Sequence, residues 1–93
     1  MRRELIQSST FVRAAKRFLK KHPSLGADLR AALEGLVEDA FNPRLRTHKL
    51  QGELDGLWAA SAGYDVRIIF SFVSHEGREA ILLQTLGSHE DVY

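Results

Sequence analysis

Four histidines, an Asp-x-Arg pair and a row of cations are the residues of this chain that could do chemistry on a phosphate ester. Imidazole changes its protonation between about pH 5 and 8, so two histidines can act as base and acid. His22, His48, His75 and His89 stand at no metal-motif spacing, and there is no cysteine to supply thiolates, so neither metal nor cofactor is expected. His22 precedes Pro23 at a predicted helix end and His75 falls in a predicted turn, which makes both exposed positions. His48 and His89 differ, because each flanks a predicted strand close to a glycine and neither lies on an apolar face. Asp65 can orient or tune an imidazole, and Arg67 can offset charge on a phosphorane-like transition state. A structural ion pair of Asp65 with Arg67, and surface positions for both histidines, fit the same pattern. Spacing alone does not bring the four groups together.

The first predicted helix carries Arg13, Lys16, Arg17, Lys20 and Lys21 on the side opposite its apolar residues. Arg44, Arg46 and Lys49 lead into His48 and extend this to a cationic surface suited to a phosphate backbone. A solvated helix face explains the helical stripe equally well. Residues 1–50 carry a net charge of +6 and residues 51–93 one of −5, a polarity hidden by the overall +1.

The chain has 93 residues, 44% of them hydrophobic and 27% charged, a globular balance that leaves room for one domain over 1–93. No apolar run approaches the roughly 20 residues of a membrane helix, and no signal-peptide core follows the N-terminal arginines. These features predict a soluble, cytoplasmic protein with no membrane partner.

Arg3–Gln7 reads as a strand, and Ser8-Ser9-Thr10 as a helix cap. Phe11, Ala14, Ala15, Phe18 and Leu19 form one helical face that stops near His22-Pro23. Ser24 is expected to cap a second helix carrying Leu25, Leu29, Ala32, Leu33, Leu36, Val37 and Ala40 inward, to about Phe41 before Asn42-Pro43. The period then falls to 2. Leu54–Ser61, Asp65–Ser74 and Glu79–Leu86 read as strands joined by turns at Ala62-Gly63-Tyr64 and His75-Glu76-Gly77. Val66, Ile68, Phe70 and Phe72 share the face expected to meet the helices, and Asp65, Arg67, Ile69, Ser71 and Val73 the other. The layout is an α+β two-layer domain: a strand, a helical hairpin and a three-stranded antiparallel sheet.

The run Thr47-His48-Lys49-Leu50-Gln51-Gly52-Glu53-Leu54-Asp55-Gly56-Leu57-Trp58 resembles the H-K-L-x-G-x-L-x-G-L-W stretch of RelE/ParE-superfamily toxins. Tyr64-Asp65-Val66-Arg67-Ile68-Ile69-Phe70 is similar to their Y-D-Y-R-I-I-F strand, and Leu86-Gly87-Ser88-His89-Glu90-Asp91-Val92-Tyr93 to their G-T-H-D-E-V-Y ending. The resemblance covers residues 47–93 and leans toward the YafQ-like and RelE/StbE-type branch. It implies a RelE-like fold and a type II toxin that cleaves mRNA in the A site of the 70S ribosome without metal. A cognate antitoxin would hold it inactive. By the same resemblance His48 and His89 match catalytic histidines, Asp65 the active-site aspartate, Arg67 a phosphate-contacting arginine and Tyr93 a terminal aromatic. Arg13, Lys16, Arg17, Lys20, Arg44, Arg46 and Lys49 would hold RNA. Ser61 stands where relatives often carry histidine or arginine, and Thr85 where YafQ-like toxins have a further arginine. The alternatives within the resemblance are a ParE-like inhibitor of DNA gyrase and a degenerate member that only binds antitoxin.

Overall fold

Ser8, Pro23 and Pro43 divide the helical half of the chain much as their chemistry requires. The structure is a computed structural model that describes residues 2–52, 56–63 and 65–88. Strand β1 (Glu4–Gln7) enters helix α1 (Ser9–Lys21) through Ser8, whose hydroxyl oxygen accepts from the Phe11 amide at 3.0 Å. The same hydroxyl donates to the Gln84 carbonyl at 3.1 Å, so one side chain caps the helix and ties it to the sheet.

The second helix begins later than the Ser24 cap predicts. Pro23–Leu25 form a 3₁₀ turn, and α2 (Gly26–Glu38) follows with no side-chain cap. Proline's fixed φ suits the first position of such a turn and draws Ser24 into it. The helix also ends before Phe41. The Asp39 carboxylate accepts from the Phe41 amide at 3.1 Å, a local turn that competes with further helix.

The remaining strands are β2 (His48–Lys49), β3 (Trp58–Ala62), β4 (Val66–His75) and β5 (Arg78–Ser88). They form one sheet in the order β1-β5-β4-β3-β2, with β1 parallel to β5 and the other neighbours antiparallel. The expected three-stranded sheet is therefore corrected to five strands. β1 joins at one edge, and the short β2 pairs His48 with Ala59 and Lys49 with Trp58 at the other. β3 starts at Trp58 rather than Leu54, while Glu53–Asp55 lie outside the described residues. β4 sits one residue later than predicted, and β5 is longer at both ends. Between them Glu76 and Gly77 have φ of 52° and 78°, the positive values a two-residue hairpin turn favours.

Phe11 and Phe18 of α1 and Leu29, Ala32 and Leu36 of α2 pack on Ala60, Ala62, Val66, Ile68, Phe70, Ile81, Leu83 and Leu86. A β-bulge makes this core possible. Ile69 pairs with Thr85 but Phe70 pairs with Leu83, so Gln84 is the extra residue. Strict alternation would send Leu83 and Leu86 to opposite faces; the bulge returns both to the helix side. On the other face Leu50, Ala59 and Ile69, with Leu57 against them, form a separate small apolar cluster. That face is thus covered at its centre.

Candidate functional site

Cross-strand register decides which of the candidate residues share a surface. His48, Ala59, Ile69 and Thr85 lie in one row across β2, β3, β4 and β5, on the face away from the helices. Ser61, Arg67 and Gly87 form the next row on the same face. His48 and Arg67 are two strands and one row apart, about 12 Å between their Cα atoms given strand spacings of about 4.8 Å and a rise of about 3.3 Å per residue. Both side chains are long enough to reach a group held between them. Between them lie Ala59 and Ile69, buried in the small apolar cluster with Leu50 and Leu57, and the low dielectric of that cluster strengthens any charge contact beside it.

His48 is exposed, and its Nδ1 lies 2.9 Å from the Arg46 carbonyl oxygen. A carbonyl can only accept, so Nδ1 carries the proton, and the neutral ring has its lone pair on Nε2. Arg67 is half-buried, with Nη1 donating to the Val66 carbonyl at 3.2 Å. Gly87, opposite it on β5, presents no side chain and leaves room beside the guanidinium.

Asp65 is exposed in the β3–β4 turn, one residue before β4 and two rows beyond His48 along the sheet. By register it stands nearer to Arg67 than to His48. The turn rests against α2: a Cβ on Gly63, whose φ is 68°, would stand 2.8 Å from Asp28 Oδ2. Glycine there answers both the backbone conformation and the close approach.

The cations divide by position. Arg17 and Lys21, with His22, line a groove whose opposite wall is Thr85, Leu86 and Gly87. Those wall residues register with Ile69, Ile68 and Arg67, so the groove adjoins the row that holds Arg67. Arg13, Lys16 and Lys20 are not among the residues that line this groove. Arg44 lies in the Pro43–Leu45 turn and Arg46 closes it, both exposed. Lys49 faces the other side of the sheet from His48, with Nζ 5.6 Å from the centre of the Trp58 ring. His89 and Tyr93 lie outside the described residues.

No protein-family model matches the sequence, and no curated protein matches it. Solved structures do. The chain is similar to YafQ from E. coli, with 17% identity and a TM-score of 0.79 over 98% of each chain. It is similar to a chain of the E. coli DinJ–YafQ toxin–antitoxin complex, with 18% identity and a TM-score of 0.77 over 100% of this chain and 99% of that one. A YoeB/ParE toxin from Agrobacterium tumefaciens matches at 9% identity and a TM-score of 0.73, over 92% and 98% of the two chains. The fold is the RelE/YafQ-like toxin fold.

On this toxin fold Ser61 and Thr85, the two departures from the family pattern, fall within the rows of Arg67 and His48 respectively. Short hydroxyl side chains stand at both positions. Residue type alone does not mark His22 for this surface, whereas Lys21 already stands in the cationic stripe of the first helix, at i, i+4 from Arg17 on one helix face. Among the described residues no group of three or more His, Asp or Glu is placed to hold a metal ion, and no helix is long and apolar enough to cross a membrane.

Proposed function

We propose that this chain is the toxin of a type II toxin–antitoxin pair and acts as a ribosome-dependent mRNA endonuclease. The observation that carries the reading is the shared sheet face, away from the helices, on which His48, with its proton held on Nδ1, stands two strands from Arg67. The chemistry is internal transesterification. A base removes the proton of a ribose 2′-hydroxyl, the 2′-oxygen attacks the adjacent phosphorus, and the bond to the 5′-oxygen breaks. An acid returns a proton to that oxygen, leaving a 2′,3′-cyclic phosphate, or a 3′-phosphate after hydrolysis, and a 5′-hydroxyl. His48 and His89 are base and acid, and Arg67 steadies the phosphate as charge builds on it. Asp65 positions or tunes one of the two histidines in this reading. Tyr93 stacks on the nucleotide. The chemistry calls for no metal.

Arg17 and Lys21 are the cations best placed to hold the RNA strand beside Arg67. Exchanging both for glutamine is expected to reduce the salt slope of binding to single-stranded RNA by about 1.4, that is, by roughly 0.7 for each phosphate no longer neutralised. The same exchange at Arg13 and Lys20 is expected to change it less. Binding titrations at several salt concentrations measure both.

The DinJ–YafQ complex supports a cognate antitoxin as partner, and the sheet edges β1 and β2 are surfaces such a partner can cover. Production of the chain alone should arrest growth, and co-production of its antitoxin should relieve the arrest. The purified protein should leave DNA gyrase supercoiling unchanged. Growth arrest accompanied by blocked supercoiling would replace this reading with gyrase inhibition, while absence of any arrest would point to a chain that only binds antitoxin.

A further inference from the structure

Two non-glycine residues among those described have positive φ, and only one is explained by a hairpin. Glu76 at 52° belongs to the two-residue β4–β5 turn, where that geometry is required. Arg46 at 51° closes the Pro43–Leu45 turn immediately before β2. A residue with a Cβ adopts this left-handed conformation only when its surroundings impose it. Here they do. Asn42 caps the turn by accepting from the Arg44 amide at 3.0 Å, and the Leu45 and Arg46 amides bond back to the Asn42 and Pro43 carbonyls. Leu45 is buried against Gly35 of α2, and the Thr47 hydroxyl donates to the Ala40 carbonyl. The turn is therefore pinned on both sides of Arg46. The consequence is the direction of one carbonyl, which meets His48 Nδ1 at 2.9 Å.

We infer that Arg46 is a positioning residue for His48 and that it acts through its left-handed backbone rather than its guanidinium. It selects the Nδ1–H tautomer, holds the ring plane, and makes Nε2 the proton-accepting atom. An imidazole in water favours the opposite tautomer, with the proton on Nε2, so the contact changes which nitrogen is basic. This deepens the proposed nuclease reading, because a base of the wrong tautomer presents N–H where a lone pair is needed. The tautomer itself is a property of the free chain and is measurable whether or not the chain cleaves RNA.

The test is long-range proton–nitrogen correlation NMR on the full chain with labelled histidine, at a pH where the rings are neutral. His48→Gln assigns the His48 signals. The native chain should show His48 as Nδ1–H. Arg46→Gly removes the guanidinium but tolerates positive φ, and it should keep that tautomer. Arg46→Val removes the guanidinium and disfavours positive φ, and it should move His48 to a mixture or to Nε2–H. Backbone amide spectra establish that both variants remain folded, and Arg46→Asn substitutes for the glycine variant if that one does not. In a cleavage assay the valine variant should turn over at least about tenfold more slowly than the glycine variant with little change in KM, since both lack the guanidinium and only glycine tolerates the positive φ. A native chain with His48 as Nε2–H, or a folded Arg46→Val variant that keeps Nδ1–H, would overturn the inference. Loss of cleavage in both variants with the tautomer kept in both would place the role of Arg46 in its guanidinium instead.

Discussion

Replacing His48 by glutamine should lower message cleavage by about 10²–10⁴-fold, the contribution of one positioned proton-transfer group. Glutamine retains a polar side chain of similar reach but cannot take up a proton. Its amide can still donate to the Arg46 carbonyl, so the turn that His48 touches keeps a partner. His48 is exposed and lies outside both apolar clusters, so the variant should melt within a few degrees of the native chain. Primer extension on messages from producing cells, beside a thermal melt of the purified variant, separates the two effects. Undiminished cleavage would remove His48 from the chemistry, and a large drop in melting temperature would make its role structural.

The largest effect on stability should come from Phe70→Ala. Phe70 is fully buried on the central strand β4, pairs with Trp58 on one side and Leu83 on the other, and meets Phe72 edge-on at 5.4 Å between ring centres. It stands directly after the bulge, where Leu83 and Leu86 are both turned into the core. Truncation leaves a cavity that the bulge geometry prevents from collapsing fully, at a cost of about 3–5 kcal/mol. Total stability for a domain of this size is roughly 5–14 kcal/mol, so the variant should lose about a fifth of it or more. A melting temperature lower by about 15–30 °C is expected in circular dichroism. A shift of only a few degrees would mean that the helices do not close over this strand.

The helical face of α1, its Ser8 cap and its end at Pro23 are all legible in residue type and spacing, because each depends on contacts within a few positions. The alternation of Val66–Phe72 is legible for the same reason, and so is the opposed direction of His48 and Lys49 once β2 is recognised as a strand. β2 itself is too short to show a period, with two residues, and β1 finds its parallel partner β5 more than 70 positions away. Neither signal is local. The extra residue at Gln84 breaks the alternation of β5, so spacing alone does not place Leu83 and Leu86 on one side. The site divides the same way. His48, Asp65 and Arg67 are marked by chemistry and by resemblance to a toxin family, but their grouping depends on sheet order. That order puts Arg67 on the face of His48, one row away, and places Asp65 farther along the sheet. The left-handed Arg46 has no sequence signal, since glycine or asparagine is the usual mark of that conformation.

In the proposed reading two histidines cleave message on the ribosome. That reading is tested most directly by mapping cleavage on translating ribosomes for the native chain and for the His48→Ala, His89→Ala double variant. Discrete cuts within the reading frame that vanish in a folded double variant are the predicted result. Cuts that persist in the double variant, or growth arrest by the native chain with no cuts at all, would contradict it.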